Sequence, residues 1–538
     1  MQGRTGEKRR LVTTVIKLEF PGYTEISLVR LAFPQKWSNS TAPTRMRYDV
    51  NRLRTALLLT VLGSSTPFAA SADSSESVAA QLRDKAISGQ NIAYSWVDEL
   101  TTRFGARPAG SDTEHRAAAW AAEKFKQLGF ENVQIETFPL TAWVRGQESG
   151  QIVSPSPQAL VVSALGASSA TPPEGVEGEL VIFPTLEDLL AAPKGSLNGR
   201  IAMVDRHLVP TQDTAGYAAA AGARTKGPQE AAQRGAIAFL VRSLSTNNHR
   251  LAHTGTTLYL NGRTAIPSFA VSVPDSDQLV RLSRSGQAIR LRLLSTSATI
   301  PDAHSQNVIA EIPGSDRPQE IVMLGCHLDS WDLGTGALDD GAGCGIVIAA
   351  AHLIADLPHR PRRTIRVVLF GSEEIAQPAE PFVLPGGNAY AREHAAELAK
   401  HVLIGESDAG PARVYAVHLP TAVQPKSEFY KEVFRVLTPI DVLATDQVSE
   451  TGIDIVPAAE KGVPVFAPYP DMTHYFDVHH SSDDTLEQID RPQMNQSLAA
   501  WTVVTYLAAD SDMQFRGPPV STPTGTRKSL LESLAQKK

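Results

Sequence analysis

The sequence predicts an α/β fold, a mixed and mostly parallel sheet sandwiched by helices, together with a separate, mostly-β module. Three observations carry this. From residue 304 onward, continuous apolar strands alternate with helical segments, the pattern of a sheet buried on both faces. Between about 158 and 298 the texture changes to short β-rich runs. The later strands end in histidine and carboxylates, at the edge where ligands collect in α/β sheets.

The chain has 538 residues, 42% of them hydrophobic and 20% charged, so two or three domains are expected. Residues 1–45 show no period or motif, and Met46 reads as the true start. In "NRLRTALLLTVLGSSTPFAASADSS", Arg52 and Arg54 precede a short apolar stretch and a small-residue site, Ala70-Ser71-Ala72. That is the order of a secretory signal peptide over 46–72, too short to span a membrane, and it predicts a periplasmic or extracellular product. Residues 1–72 hold 11 basic and 4 acidic residues, which leaves 39 Lys/Arg against 53 Asp/Glu, a net −14. Nucleic acid and anionic membranes are therefore excluded as expected partners, and no apolar run of membrane-spanning length is present.

The elements come in order. Within 73–157, "AYSWVDELTTRF" and "TEHRAAAWAAEKFKQLGF" have helical periodicity around a Gly-Ala-Arg-Pro turn, and "NVQIETFPL" alternates like a strand. In 158–298, "GELVIFP", "GRIAMVDR", "GAIAFLVRS", "IPSFAVS" and "IRLRLL" surround one helix, "GPQEAAQRGA". In 299–515, "EIVMLGCH" leads to "GAGCGIVIAAAHLIADL", and "TIRVVLFGSEE" leads to "GGNAYAREHAAELAK" and then "HVLIGESDAG". The tail, 516–538, is rich in Pro, Ser and Thr and is expected to be disordered.

The chemistry sits at the strand ends. The first strand of the later part ends at His327 and Asp329, the second at Glu373 and Glu374, and the third at Asp408. "HYFDVHHSSDDT" adds His474, His479, His480, Asp483 and Asp484. Carboxylates this close repel one another unless a cation sits among them. Imidazole with several carboxylates suits Zn²⁺ or a similar divalent ion, and the Asp339-Asp340 pair on its glycine-flanked loop is the candidate bridge between two ions. In a Glu-Glu pair one side chain can bind metal while the other takes a proton from water.

Other residues read more plainly. Cys326 and Cys344 are expected as two buried small apolar residues, with a disulfide as the alternative. His253, His352, His394, His401 and His418 fit none of the strand ends and read as core or surface histidines. Glu406 and Ser407 read as packing, and "GTGAL" lacks the Gly-Lys-Ser/Thr of a phosphate loop.

The stretches "GARPAGS", "RGQESG", "PPEGVEGELV", "GCHLDSWDLGTGALDDGAG", "GSEE", "GESDAG" and "HHSSDDT" resemble, as a set and in order, the co-catalytic zinc peptidases of the aminopeptidase and glutamate carboxypeptidase superfamily. The resemblance covers about Ala93 to Met513. It implies two Zn²⁺ per chain: His327 and Asp408 on one, Glu374 and His480 on the other, Asp339 bridging, and Glu373 as general base. It further implies that Asp329 and Asp484 orient His327 and His480 and that Asp340 follows a cis peptide bond; His474 and His479, which lie near these positions, read as candidates for substrate contact. The module at 158–298 would be a protease-associated (PA) domain, the substrates short unblocked peptides, chiefly dipeptides, and the assembly a homodimer. An aminopeptidase acting on longer peptides is the near alternative; a single-zinc glutaminyl cyclase and a non-catalytic receptor-like relative are the distant ones. The segment 375–387, "IAQPAEPFVLPGG", departs from the family's short Gly-rich turn beside the site.

Overall fold

The computed structural model describes residues 74–517, apart from 260–264, 376–383, 446, 448 and 450–451. The expected signal peptide, the leader before it, nearly all of the tail and most of the 375–387 insertion lie outside the described residues.

The described residues form fifteen strands, numbered in chain order: β1 (Glu131–Val144), β2 (Glu148–Ser154), β3 (Gln158–Leu160), β4 (Val162–Ala164), β5 (Val176–Phe183), β6 (Ile201–Val204), β7 (Ala238–Arg242), β8 (Ser268–Val271), β9 (Arg290–Ser295), β10 (Ala298–Ile312), β11 (Arg317–His327), β12 (Arg363–Phe370), β13 (His401–Glu406), β14 (Val414–His418) and β15 (Ala467–Pro470). One sheet has the order β1-β10-β12-β11-β13. Its β12–β11 and β11–β13 pairings are parallel, and its β1–β10 and β10–β12 pairings antiparallel. Only β10 therefore runs against the other four.

Period-two burial explains why this sheet is sandwiched. Val308, Ala310, Val322, Leu324, Val367 and Leu369 pack into one core with the helices Ala93–Phe104, Asp112–Gln127, Ala342–Ala355 and Arg491–Asp510. Ile309, Ile321, Met323, Val368 and Phe370 face the other way, against Tyr390 of the helix Pro385–Glu393 and Ile455 and Ala458 near the short helix Val456–Ala459. Successive side chains on a strand point to opposite faces, so strands apolar at every position belong at the centre of such a sandwich. Among the described residues one helical stretch, Ala337–Ala355, is long and apolar enough to cross a membrane, but 94% of its most apolar window is buried in the fold.

The chain between β1 and β10 forms a second sheet of eight strands, β3-β2-β9-β5-β6-β7-β8-β4. It takes in β2, so the module begins in strand pairing at Glu148, ten residues before the expected 158. Four helices accompany it, Leu186–Ala191, Ala215–Thr225, Gly227–Gln233 and Val273–Ser283, where the sequence suggested only the third. The missed ones have local reasons to form. Thr185 and Asp188 make a reciprocal capping box, Ser272 caps the N–H of Asp275, and "AGYAAAAGART" is alanine-rich.

Candidate metal centre

Parallel pairing puts three strand ends at one edge. His327 is in register with Phe370, and Gly325 with Glu406. The segments that leave those strands, 371–375 and 407–410, consequently start beside His327. The loop from Leu328 to Gly336 is fixed from two sides. Arg107 of "GARPAGS" is fully buried and donates to the carbonyl oxygens of Leu328 (2.7 Å), Thr335 (2.7 Å) and Gly336 (2.9 Å). Arg145 of "RGQESG" pairs with Asp332 at 2.6 Å. Gly336 has φ +60°, and a Cβ there would meet Ser330 and the Arg107 guanidinium. Glycine is required at that point.

The acidic turn comes next. The Asp339–Asp340 peptide bond is cis. Asp340 does not face the cluster; its Oδ2 accepts the N–H of His327 (3.1 Å) and its Oδ1 the N–H of Gly343 (3.0 Å), which ties the turn back to β11. Asp484 accepts the N–H groups of Ala337 (2.9 Å), Leu338 (2.7 Å) and Asp339 (3.3 Å). It thus holds the turn, and the expected support of His480 comes from elsewhere: Nδ1 of His480 faces the carbonyl oxygen of Thr254 at 3.3 Å, in the inserted domain. Cys326 and Cys344 form a disulfide, not two separate thiols; they bracket His327 and the acidic turn, and both are fully buried.

Asp339 stands at the centre. Its Oδ1 is 3.2 Å from Nε2 of His327, and its Oδ2 is 3.3 Å from Nε2 of His480 and 3.6 Å from Nε2 of His479. Nε2 of His327 is also 3.5 Å from Oδ1 of Asp408, and Nε2 of His480 is 3.1 Å from Oε2 of Glu374. Asp329 works through two groups. Its carbonyl oxygen accepts from Nδ1 of His327 (3.0 Å), while its carboxylate accepts the N–H groups of Glu373 (3.0 Å) and Glu374 (3.2 Å). Ser372 and His480 both have positive φ, +62° and +59°, in the left-handed region that non-glycine residues seldom occupy. His474 does not join the cluster. It is 88% exposed, pairs with Asp477 and lines a cavity of about 500 Å³ that also takes in Leu338 and Ala409, the chain neighbours of Asp339 and Asp408.

The electrostatics call for a cation. Burial, and then repulsion from Asp408, push Glu373 well above the usual carboxyl range. Burial and Asp339 raise Glu374 and Asp484 to about 7 each. Burial opposes protonation of His480, but Glu374 and Asp339 outweigh it and lift the imidazole to about 9. Oδ2 of Asp339 and Oε1 of Glu374 are buried and make no hydrogen bond among the described residues. Two clusters, His327/Asp339/Asp408 and Asp339/His479/His480, each bring candidate ligand atoms within 4.8 Å of one another, and they share Asp339. Carboxylate oxygens left without donors beside neutral-capable imidazoles fit a divalent ion.

Four residues of the inserted domain were not legible as site residues. Nδ1 of His253 donates to the carbonyl oxygen of His479 (2.7 Å), and the N–H of Thr254 donates to that of His480 (2.9 Å). Arg224 donates to the Tyr217 hydroxyl (2.7 Å), and the Tyr217 ring lies edge-on to His479 at 5.2 Å. Only the tertiary fold brings these segments, more than 200 residues away in sequence, onto "HHSSDDT".

Known proteins resemble this chain over most of its length. The model of peptidase family M28 matches residues 307–505. Carboxypeptidase Q of Mus musculus is 34% identical over 444 residues, covering 81% of this chain and 90% of that protein. The crystal structure of a peptidase M28 precursor from Shewanella amazonensis SB2B superposes with a TM-score of 0.80 at 40% identity, covering 83% of this chain and 99% of the other. BSAP, a zinc aminopeptidase from Bacillus subtilis, shares the fold with a TM-score of 0.55 at 20% identity over 78% of this chain and 95% of its own. The chain belongs to peptidase family M28, as a carboxypeptidase Q-like member.

Proposed function

We propose that the chain is an exported di-zinc exopeptidase that hydrolyses short unblocked peptides, chiefly dipeptides. One observation carries the reading: the two oxygens of Asp339 face two different imidazoles, His327 and His480, each with a further carboxylate beside it, Asp408 and Glu374. A carboxylate so placed would hold two ions and offset the charge of both. His327, Asp408 and Asp339 would hold one zinc; Glu374, His480 and Asp339 would hold the other. Zinc there would supply Lewis acidity and a water acidic enough to lose its proton near neutral pH.

The chain's own residues do the rest. Glu373 accepts the proton of the attacking water and returns it to the leaving amine. Asp329 fixes the backbone of Glu373 and Glu374 together, which sets base and ligand at a constant separation. The inserted domain, read as a PA domain from the family resemblance, contacts the histidine segment through His253 and Thr254. The signal-peptide pattern of residues 46–72 supports export, and the family resemblance supports a homodimer.

The test is Glu373→Gln. Loss of a general base costs on the order of 10²–10⁴ in rate, so kcat on a dipeptide falls by that factor while zinc content stays that of the parent. Retained activity in this variant would remove Glu373 from the mechanism. Cleavage of long peptides in preference to dipeptides would turn the reading toward an aminopeptidase.

A further inference from the structure

The Glu373-Glu374 pair rides on a turn that two buried side chains hold from opposite sides. Beyond Ser372, the Asp329 carboxylate accepts the N–H groups of Glu373 (3.0 Å) and Glu374 (3.2 Å). Ahead of Ser372, Oδ1 of Asn307 accepts the N–H of Gly371 at 3.1 Å. Ser372, between the two anchors, has φ +62°. A residue other than glycine stays in that region only where its surroundings impose it.

Asn307 is placed to impose it. The β10–β12 pairing ends at Val308 and Leu369. Asn307 is the next residue of β10 and is fully buried, and its side chain takes over where the ladder stops. Besides holding Gly371, its Nδ2 donates to the carbonyl oxygen of Gly386 (3.0 Å), in the first turn of the helix Pro385–Glu393. One partner is a donor and the other an acceptor, which fixes the way the amide faces. A single side chain thus bonds both residue 371 and residue 386. The fit around it is close. A Cβ on Gly386 would run into the carbonyl oxygen of Gly371 and Oδ1 of Asn307, and one on Gly371 would run into Ser305, Gln306 and Glu114. The turn is seated on β10, and the Asn307 amide bonds it there.

We infer that Asn307 is a positioning residue for the proposed base: by holding Gly371 it imposes the left-handed turn at Ser372 and so sets where the Glu373 carboxylate reaches. The inference rests on the peptidase reading of the site. Asn307 acts through the backbone and touches neither the attacking water nor the peptide. Its effect falls on Glu373 more than on Glu374. As a ligand, Glu374 is fixed by zinc, whereas Glu373, which is no ligand, takes its place from the backbone.

The experiment measures kcat, KM, zinc content and melting temperature of the zinc-loaded full chain and two variants. Asn307→Ala removes both bonds; Asn307→Asp keeps an acceptor for Gly371, ionised or neutral, and in its ionised form loses the donor for Gly386. Misplacing a reacting group by about 1 Å costs on the order of 10²-fold in rate. Asn307→Ala is therefore expected to lower kcat by about 10–100-fold, with KM within about threefold of the parent and zinc content unchanged. Asn307→Asp lowers the melting temperature through the weakened bond to Gly386 but keeps kcat within about threefold of the parent. In a Glu373→Gln background, Asn307→Ala costs less than about twofold further, because residues that act as a unit are not additive. An unchanged kcat in Asn307→Ala, or the same fractional loss with and without Glu373, would overturn the inference. So would a loss of about tenfold or more in Asn307→Asp, since the activity would then follow stability and not the bond to Gly371. Should Asn307→Ala fail to fold, Asn307→Asp still decides by that criterion. A parent chain that binds no zinc or hydrolyses no peptide would instead sink the reading of the site itself.

Discussion

Nδ1 of His480 lies 3.3 Å from the carbonyl oxygen of Thr254, so a candidate metal ligand of the peptidase part is oriented by the inserted domain. The contact is one of several. Thr246 donates to the carboxylate of Asp477 (2.6 Å), Asn247 to its carbonyl (2.8 Å), and His253 to the carbonyl of His479 (2.7 Å). His480 has φ +59°, a conformation that costs a non-glycine residue about 1–3 kcal/mol and persists only where the surroundings impose it. His253→Ala removes a donor that imposes it. Loss of such outer support lowers metal affinity by about 10–100-fold. Titration of the metal-free variant with zinc against a chromophoric chelator should show that loss for one ion and not the other.

Asp329 leaves a different signature, because one carboxylate positions both members of the Glu373-Glu374 pair. Asn at this position has a single acceptor oxygen and leaves one of the two N–H groups unpaired. Asp329→Asn should therefore lower both zinc affinity, by about 10–100-fold, and kcat at saturating zinc. Steady-state kinetics across a zinc series separates the two effects. Normal kcat once zinc is restored would show that Asp329 serves the ligand alone.

The pH dependence of the metal-free protein is set by the same cluster. Glu374 and Asp484 titrate at about 7 when folded, against ordinary values of 4.5 and 3.8. His480 titrates at about 9, against 6.5. Through these groups the folded chain holds protons that the unfolded chain has released, so they make stability fall as pH rises through roughly 4–9, while His479, held well below its ordinary value by burial, pulls the other way up to its ordinary value of 6.5. Each such group contributes on the order of 3 kcal/mol to that fall. Asp339, held well below its ordinary value by His327 and His480 against the effect of burial, acts only below that window. Calorimetry of EDTA-stripped protein should yield a higher melting temperature at pH 5.5 than at pH 8.5. Zinc displaces these protons, so the stabilisation it adds should grow with pH. A stripped protein more stable at pH 8.5 would contradict this picture of the cluster's charges.

Much of this was legible in the sequence because α/β sheets convert position into function. Uninterrupted apolar runs such as "EIVMLGCH" and "TIRVVLFGSEE" can only be central strands, and the residues just beyond their carboxyl ends must share one edge. That logic brought His327, Asp329, Glu373, Glu374 and Asp408 together from sequence order alone. The features that escaped it depend on tertiary approach. Nothing local in "LAHTG" marks His253 and Thr254 as neighbours of "HHSSDDT". The resemblance offered Asp484 as a partner for His480, yet its oxygens are consumed by three backbone amides of the acidic turn. The Cys326–Cys344 bond was equally hidden, since eighteen residues of separation say nothing until the turn folds back beneath β11.

The central claim is that Asp339 bridges two ions. The measurement that tests it most directly is the zinc content per chain of the purified mature protein, by elemental analysis, after removal of loosely bound metal. The account predicts two zinc ions per chain, and one in an Asp408→Ala variant. A parent chain that holds a single ion, or none, would contradict it.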